Sequence, residues 1–447
     1  ALEDFPKEWP EATSKISSIF QNLQEDPATL ERAILFVYVV VKRYEYFFDP
    51  LHSKSDSPAE LKLIADAVLP KLTAIFTKMM SSGSAASFPE EQKRLLRMIA
   101  KLYFRITRSY LPDVAKTVAP DFLGACMIIL ADITAGMQDD VKVQDEDFMI
   151  DEEELSQEWR LHKRVLKLFT SIQSRHRQLA EPYMARLVDL CRLATQRPRG
   201  ALPDRIYSQC FDILAATTAH KSHYALVKKH FPEIVEKSIF PHLELSSTDK
   251  ECWLEDEDEY VRSNLSLEDM EIEDNEIESY TGRKSAMNFL TVMSDYSEGS
   301  NKPAGGGKQK RKKGKGNSSK HSTPNFQIVL KYIDRLNHNL TSSINEIAKS
   351  PVEEAEKERS ALEVDREKKQ YAILLAYGAM ADAICKSTKG AAISTFIRNN
   401  VQPACDKSGV MLAFPNWKVK QSPYLAANAL WVGAQFAEPF SIQTLAN

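Results

Sequence analysis

Glycine is scarce in this chain, at 15 of 447 residues. Hairpin turns lean on glycine for left-handed backbone. Few such turns can be built here, so the composition points to an all-α fold. Cysteine is equally thin. The six, at 126, 191, 210, 252, 385 and 405, never fall at Cys-x-x-Cys spacing. Most stand on apolar helix faces and read as reduced core thiols of an intracellular protein rather than a disulfide frame. No stretch reaches the ~18 unbroken apolar residues of a membrane span; Ala33–Val41 is apolar but too short. No signal-peptide pattern is visible. The phosphate-loop pattern Gly-x-x-x-x-Gly-Lys-Ser/Thr, the nucleophile elbow Gly-x-Ser-x-Gly and the zinc pattern His-Glu-x-x-His are all missing. Nine histidines are scattered. His220, His223 and His230 come nearest to a cluster, but no cysteine or carboxylate pair stands beside them at ligand spacing. The expectation is a protein with no catalytic residues, no cofactor and no metal, which is not an enzyme and does not insert into a membrane.

Apolar material is ample, at 43% of residues, with 27% charged and a formal net charge of −4. The length suits either about three ordinary domains or one extended repeat array. Helical spacing of apolar residues favours the array. A helix from about Glu11 to Leu23 places Ile16, Ile19, Phe20 and Leu23 on one side. Pro27 and Thr29 open the next, with Leu30, Ala33, Ile34, Val37, Tyr38 and Val41 at helical spacing. Leu35, Phe36, Val39 and Val40 make it apolar nearly all round, as for a helix covered on two sides, whether in a stack or in a compact bundle. Pro58–Met80 turns Leu61, Ile64, Val68, Leu72, Ile75 and Phe76 inward, with a kink expected at Pro70. Ser81–Ser87 reads as a flexible loop. Further helices are expected from Pro89, over Pro120–Met137, Trp159–Ile172, Tyr183–Ala194, Ile206–Ala216 and Tyr224–Ile239, the last stopping at Pro241. A short amphipathic helix is expected near Arg283–Met293, then Phe326–Ile347, a charged link or helix start at Glu353–Glu367, Tyr371–Ile384 and Ile393–Val401. Small residues Ala376, Gly378 and Ala381 allow close helix contact. Helix pairs recur at about forty residues, the period of HEAT repeats.

Charge is unevenly spread. Residues 251–278 hold thirteen Asp/Glu and one Arg, and 308–320 hold seven Lys/Arg and no acid. A second acidic run, 138–155, carries Asp145, Glu146 and Asp147 among others. The small net charge hides strong local fields of opposite sign. An acidic run is either a solvated loop or a negative surface for basic partners. The Lys308–Lys320 run is a charged linker, a localisation signal, a nucleic-acid tether or a mimic of cargo; without interleaved aromatics it gives no sign of base stacking.

Three blocks carry a family resemblance. Leu2–Pro10 contains Phe5, Pro6, Trp9 and Pro10 as an aromatic-proline turn. Ile239–Arg262 runs Ile-Phe-Pro-His-Leu-Glu-Leu-Ser, then Trp253, the acidic stretch Glu255 to Glu259, and Tyr260, Val261 and Arg262. In that block the Trp, Tyr and Val serve as anchors to a helical core, and Ser246–Asp249 reads as a polar link. Ser422–Ala437 carries Trp431, Gly433 and Phe436. In this order the blocks resemble the karyopherin-β (importin-β) superfamily, and are most similar to the importin seven and importin eight class. The Gly/Lys-rich insert departs from that class, and the N-terminal repeats where the family chiefly grips Ran·GTP are not in this chain.

The resemblance implies an all-α, right-handed α-solenoid of HEAT (ARM-like) repeats, about eight in what reads as an internal fragment. The organisation expected is HEAT repeats at 1–137, an acidic loop at 138–155, HEAT repeats at 156–245, an acidic segment at 246–282, a helix at 283–296, a disordered insert at 297–324 and HEAT repeats at 325–447. The implied function is a nuclear import receptor with Ran GTPase, basic cargo such as histones or ribosomal proteins, and Phe-Gly nucleoporins as partners, and no direct nucleic acid. Its places would be nucleus, cytoplasm and nuclear pore. The candidate cargo or Ran surface is Glu255, Asp256, Glu257, Asp258 and Glu259, then Asp145, Glu146 and Asp147. The alternatives are an exportin-type karyopherin and a HEAT scaffold unrelated to transport, such as a phosphatase regulatory subunit.

Overall fold

The computed structural model describes residues 11–22, 26–42, 44, 58–136, 156–258, 260–261, 281–296, 325–347, 352–388, 391–401 and 423–446. Phe5–Pro10, Asp145–Asp147, Glu259, Arg262, Lys308–Lys320 and Cys405 lie outside them. The regular structure of the described residues is helical, as expected. The chain divides into two units, 1–142 with 149–194 and 143–148 with 195–447.

The first unit contains α1 (Ala12–Gln21), α2 (Pro27–Val41), α3 (Ala59–Ser81), α4 (Glu90–Arg108), α5 (Asp113–Gly136), α6 (Gln157–Arg175) and most of α7 (Met184–Thr195). α1, α3 and α5 stack in one layer, and α2, α4 and α6 in another. Neighbours within a layer run parallel. In the first layer the Phe76 and Phe122 rings lie 4.6 Å apart, and Ala85 N–H donates to Asp132 across 47 residues of sequence. In the second, Arg105 donates to Tyr38 O and Gln157 N–H to Glu90, each across 67 residues. His176 reaches Thr107 O across 69. An offset that barely changes along the helices means parallel neighbours.

Local sequence explains the elements. Asp26 caps α2, accepting from Thr29 N–H at 3.0 Å with Pro27 in the first turn, and Ser156 caps α6. The inward residues expected for α3 are all buried. Pro70 sits on the exposed side and α3 runs through it. α5 begins at Asp113, seven residues before the expected start, and passes through Pro120. Pro120 is exposed, so the backbone bond it removes is lost on the solvent side, and its own carbonyl accepts from Tyr183 at 2.9 Å. α5 is long and apolar enough to cross a membrane; here it is a core helix, with Phe122 stacked on Tyr103 at 4.2 Å. Two expectations change. α2 is not covered all round, since Leu35 and Val39 are 47% and 41% exposed. Ser81–Ser87 is not a free loop: it ends in a 3-10 turn whose Ala85 is buried and tied to Asp132.

The second unit contains α8 (Asp204–Thr218), α9 (Lys221–Lys228), α10 (Phe231–Ile234), α11 (Phe240–Leu243), α12 (Ser247–Glu255), α13 (Gly282–Asp295), α14 (Asn325–Ile347), α15 (Val352–Ser387), α16 (Ala391–Phe396) and α17 (Pro423–Ala446). α8, α13, α15 and α17 form one stack. Ser208 meets Ser285 across 77 residues, and Thr291 donates to Ala379 O across 88. The Arg197–Gly200 turn has Gly200 at φ 80, a left-handed position. Two expectations change here too, and one alternative is decided. The helix from Phe231 does not stop at Pro241: a π turn at Val235–Ile239, with Phe240 N–H bonded to Val235 O, shifts the ladder by one residue and carries the chain into α11. Of the two readings of Glu353–Glu367, link or helix start, the helix holds: the stretch is the first half of the 36-residue α15; Glu, Lys and Arg are good helix formers at any register. α13 is not amphipathic but buried nearly all round, from Gly282 and Arg283 to Met293 and Ser294, because α8 and α15 flank it.

The described cysteines 126, 191, 210 and 385 are buried, Cys252 is half-buried, and none of these five forms a disulfide with another. Burial pushes the Cys126 thiol well above its usual range.

The close contact expected from small residues on α15 is present. A Cβ on Gly378 would stand inside the Trp431 ring, whereas one on Gly433 would meet nothing within 4 Å. Gly378→Ala is expected to lower stability by about 1–3 kcal/mol, read by chemical denaturation. Gly433→Ala, on the same α17 as Trp431, is the control and is expected to raise it by about 0.5–1 kcal/mol, the usual gain of alanine over glycine in an exposed helix interior.

Candidate acidic interaction site

The Ile239–Arg262 block splits into a core half and a surface half. Ile239, Phe240, His242, Leu243 and Leu245 are all buried. Phe240 packs edge-on against Tyr332 with centroids 4.6 Å apart. His242 sits between Tyr207 and Phe211, and Ser238 O lies 2.8 Å from its Nδ1. Burial holds its pKa down to about 3, against the pull of that hydrogen bond, so it is a neutral core residue. After it come α12 and the carboxylates. Glu255, Asp256, Glu257 and Asp258 are all exposed, with Leu254 at 78% and Val261 at 42% exposure beside them. Val261 is thus not an anchor. Tyr260 is, being fully buried with its hydroxyl 2.7 Å from that of Tyr371. Trp253 is half-buried, 5.1 Å edge-on from Tyr260.

The residues that fix this surface are ones the sequence does not single out. Ser246–Asp249 is no link but the cap of α12. Ser246 Oγ accepts from Asp249 N–H at 3.1 Å, and Asp249 accepts from Ser246 N–H at 2.7 Å, a reciprocal capping box. Asp249 is only 7% exposed. Its two oxygens take both terminal nitrogens of Arg283, the second residue of α13 and 3% exposed. Arg283 also donates to Glu244 O at 2.8 Å, which accepts from Arg199 at 3.0 Å. Its guanidinium stands 5.2 Å from the Tyr371 ring. Lys250 adds an ion pair to Glu367 of α15 at 2.7 Å. Burial would raise the Asp249 pKa, but the Arg283 charge and hydrogen bonds override it and hold the carboxyl at about 2. The same pairing raises the Arg283 pKa against its own burial. The acidic tip therefore rides on a helix locked by a buried bidentate pair. The capping pattern Ser-x-x-Asp is visible in sequence; its partner, 34 residues on, is not.

Among the described residues no group of three or more His, Cys, Asp or Glu is placed to hold a metal ion. Nothing in the arrangement is built for bond-making. What it offers is a fixed, exposed array of carboxylates edged by apolar side chains.

Stacked parallel helices of this kind define a helical-repeat protein. The profile of the Cse1 family matches residues 40–300, and the chain belongs to that family, within the karyopherin-β superfamily. Among curated proteins it is similar to Exportin-2 of Oreochromis niloticus, 22% identical over 308 residues, and to Exportin-2 of Homo sapiens, 21% identical over 305; each match covers 66% of this chain and 29% of the relative. The chain thus spans under a third of the length of those relatives. Among solved structures it is similar to the exportin Cse1 in its cargo-free, cytoplasmic state, with a TM-score of 0.63, 15% identity, and coverage of 99% of this chain and 41% of that one. The all-α, HEAT-type stack and the superfamily resemblance stand. The family is one of transport receptors, not enzymes.

Asp249→Asn or Arg283→Met is expected to cost about 3–5 kcal/mol, since each leaves one buried charge or polar group unmatched, with the loss read by denaturation. Asp249 has its folded pKa below the unfolded value of 3.8. Its stabilisation is therefore full above about pH 4 and is lost as the pH falls toward about 2. The stability difference between wild type and Asp249→Asn should be flat from neutral pH to about 5 and shrink below it.

Proposed function

We propose that the chain is part of a nuclear transport receptor of the exportin type, which binds cargo together with Ran·GTP and shuttles between nucleus and cytoplasm through the pore. The observation that carries this reading is the Cse1 family match over residues 40–300, supported by the Exportin-2 relatives. The import reading, with histones or ribosomal proteins as cargo, rests on the resemblance of the three sequence blocks to the importin seven and eight class. In either case Glu255, Asp256, Glu257, Asp258 and Glu259 are the proposed surface for a basic partner, with Asp145, Glu146 and Asp147 as a second acidic surface. The exposure of Leu254 beside them supports a mixed interface with an apolar anchor. For Phe-Gly nucleoporins the candidate is a groove of about 380 Å³ lined by Phe326, Leu330 and Phe396.

The test is a pull-down of cargo by the full-length parent protein with and without Ran·GTP. Stronger cargo binding with Ran·GTP is the expected result. Weakening gives an importin, and indifference by a folded protein leaves a helical scaffold. Replacing Glu255, Asp256, Glu257 and Asp258 by alanine is expected to weaken the salt-sensitive binding of a basic partner by about tenfold without lowering the melting temperature.

A further inference from the structure

The exposed carboxylates Glu255, Glu257 and Asp258 are strung between two buried anchors. At one end Arg283 grips Asp249 with both terminal nitrogens. At the other, Tyr260 donates its N–H to Asp256 O at 3.0 Å and buries its ring completely. Both anchors meet one residue. Tyr371, in the middle of α15 and fully buried, has its hydroxyl 2.7 Å from that of Tyr260. The Arg283 guanidinium stands 5.2 Å from its ring centre.

A third group stands by Tyr371. Asn428 of α17 is 0% exposed. Burial raises the Tyr371 pKa, and Asn428 is near enough to pull against that rise, as Arg283 and Tyr260 do. Yet neither the nitrogen nor the oxygen of the Asn428 amide closes a hydrogen bond among the described residues. An amide left so is costly. It also interrupts an apolar stripe, since Leu425 and Val432 on either side are buried; a leucine there would carry no such cost. Burial pushes the pKa of both phenols up, so both keep their protons. One hydrogen lies between the two oxygens, and the Tyr371 hydroxyl has bonding capacity left over. A ring packed on all sides moves as a unit. Turning its oxygen toward Asn428 lengthens its contact with Tyr260.

We propose that Tyr371 is a positioning residue of the acidic surface, and that Tyr260 and Asn428 compete for its hydroxyl, so that the firmness of the acidic segment is coupled to the seating of α17 on α15. Such coupling is reciprocal. A basic partner that fixes the carboxylates holds Tyr371 toward Tyr260 and away from α17. That last step rests on the reading of Glu255, Glu257 and Asp258 as a surface for a basic partner. The junction itself does not.

The experiment is hydrogen exchange by mass spectrometry on the whole chain, followed in peptides covering 247–261. Tyr371→Phe keeps the ring and removes only the hydroxyl; exchange there is expected to quicken at least about threefold. Asn428→Leu is expected to slow it by about the same factor, and to do nothing in the Tyr371→Phe background. Should leucine not fit, Asn428→Ala reads the same change. A general shift in stability would instead move all peptides and add in the double variant. The second arm is anisotropy of fluorescein-labelled heptalysine at low salt. Its affinity is expected to follow, about threefold weaker in Tyr371→Phe and about threefold tighter in Asn428→Leu. The inference is overturned if both Asn428 variants leave exchange in 247–261 unchanged, or change it equally with and without the Tyr371 hydroxyl. Exchange that behaves as expected while heptalysine binding ignores every variant supports the junction and removes the basic-partner reading.

Discussion

The stacked helices of this chain, α1 to α6 and α8, α13, α15 and α17, complete their apolar contact against a helix far along the sequence. Partners in a layer are 47 residues apart at Ala85 and Asp132, 67 at Tyr38 and Arg105, 77 at Ser208 and Ser285 and 88 at Thr291 and Ala379. The offset nearly doubles, yet the contact remains parallel and side by side. Closing a longer loop costs only logarithmically more, so the stack tolerates inserted chain between helices provided the stripes still meet. Two charged stretches, 138–155 and 297–324, fall in such intervals between described helices.

That tolerance decides what sequence reading can reach. Stripes such as Leu61, Ile64, Val68, Leu72 and Phe76, or Leu95, Ile99, Leu102 and Ile106, are periodic over several turns and bury as their spacing implies. A period of about forty residues is closer to the offset in the first layer than to any in the second, where intervening segments lengthen it. Helix ends were legible where a side chain caps them, as at Asp26, and illegible at prolines. Pro120 and Pro241 look like boundaries, but one faces solvent and the other follows a π turn, so neither stops its helix. α2 misled in the opposite sense: apolar composition does not say that a neighbour exists to cover Leu35 and Val39.

The acidic surface was half legible. That Glu255 to Asp258 face water follows from the cost of burying charge. What holds them in place does not follow. Asp249 lies in the same acidic neighbourhood and differs only in that Arg283, beyond a long acidic stretch, reaches it.

A buried pair such as Asp249 with Arg283 is a weak source of net stability, since desolvation offsets most of the attraction. An apolar contact would hold α12 as firmly. The difference lies in direction: two parallel hydrogen bonds from Arg283, a third to Glu244 O and the reciprocal cap at Ser246 fix where α12 starts and which way it runs. The exposed carboxylates begin at Glu255, the last residue of that helix. Their orientation is therefore set from the buried end of α12, by α13 and by the Tyr260–Tyr371 contact to α15. A partner that grips the carboxylates works against two helices of the stack and not against a loose tail, which lowers the ordering cost of recognition.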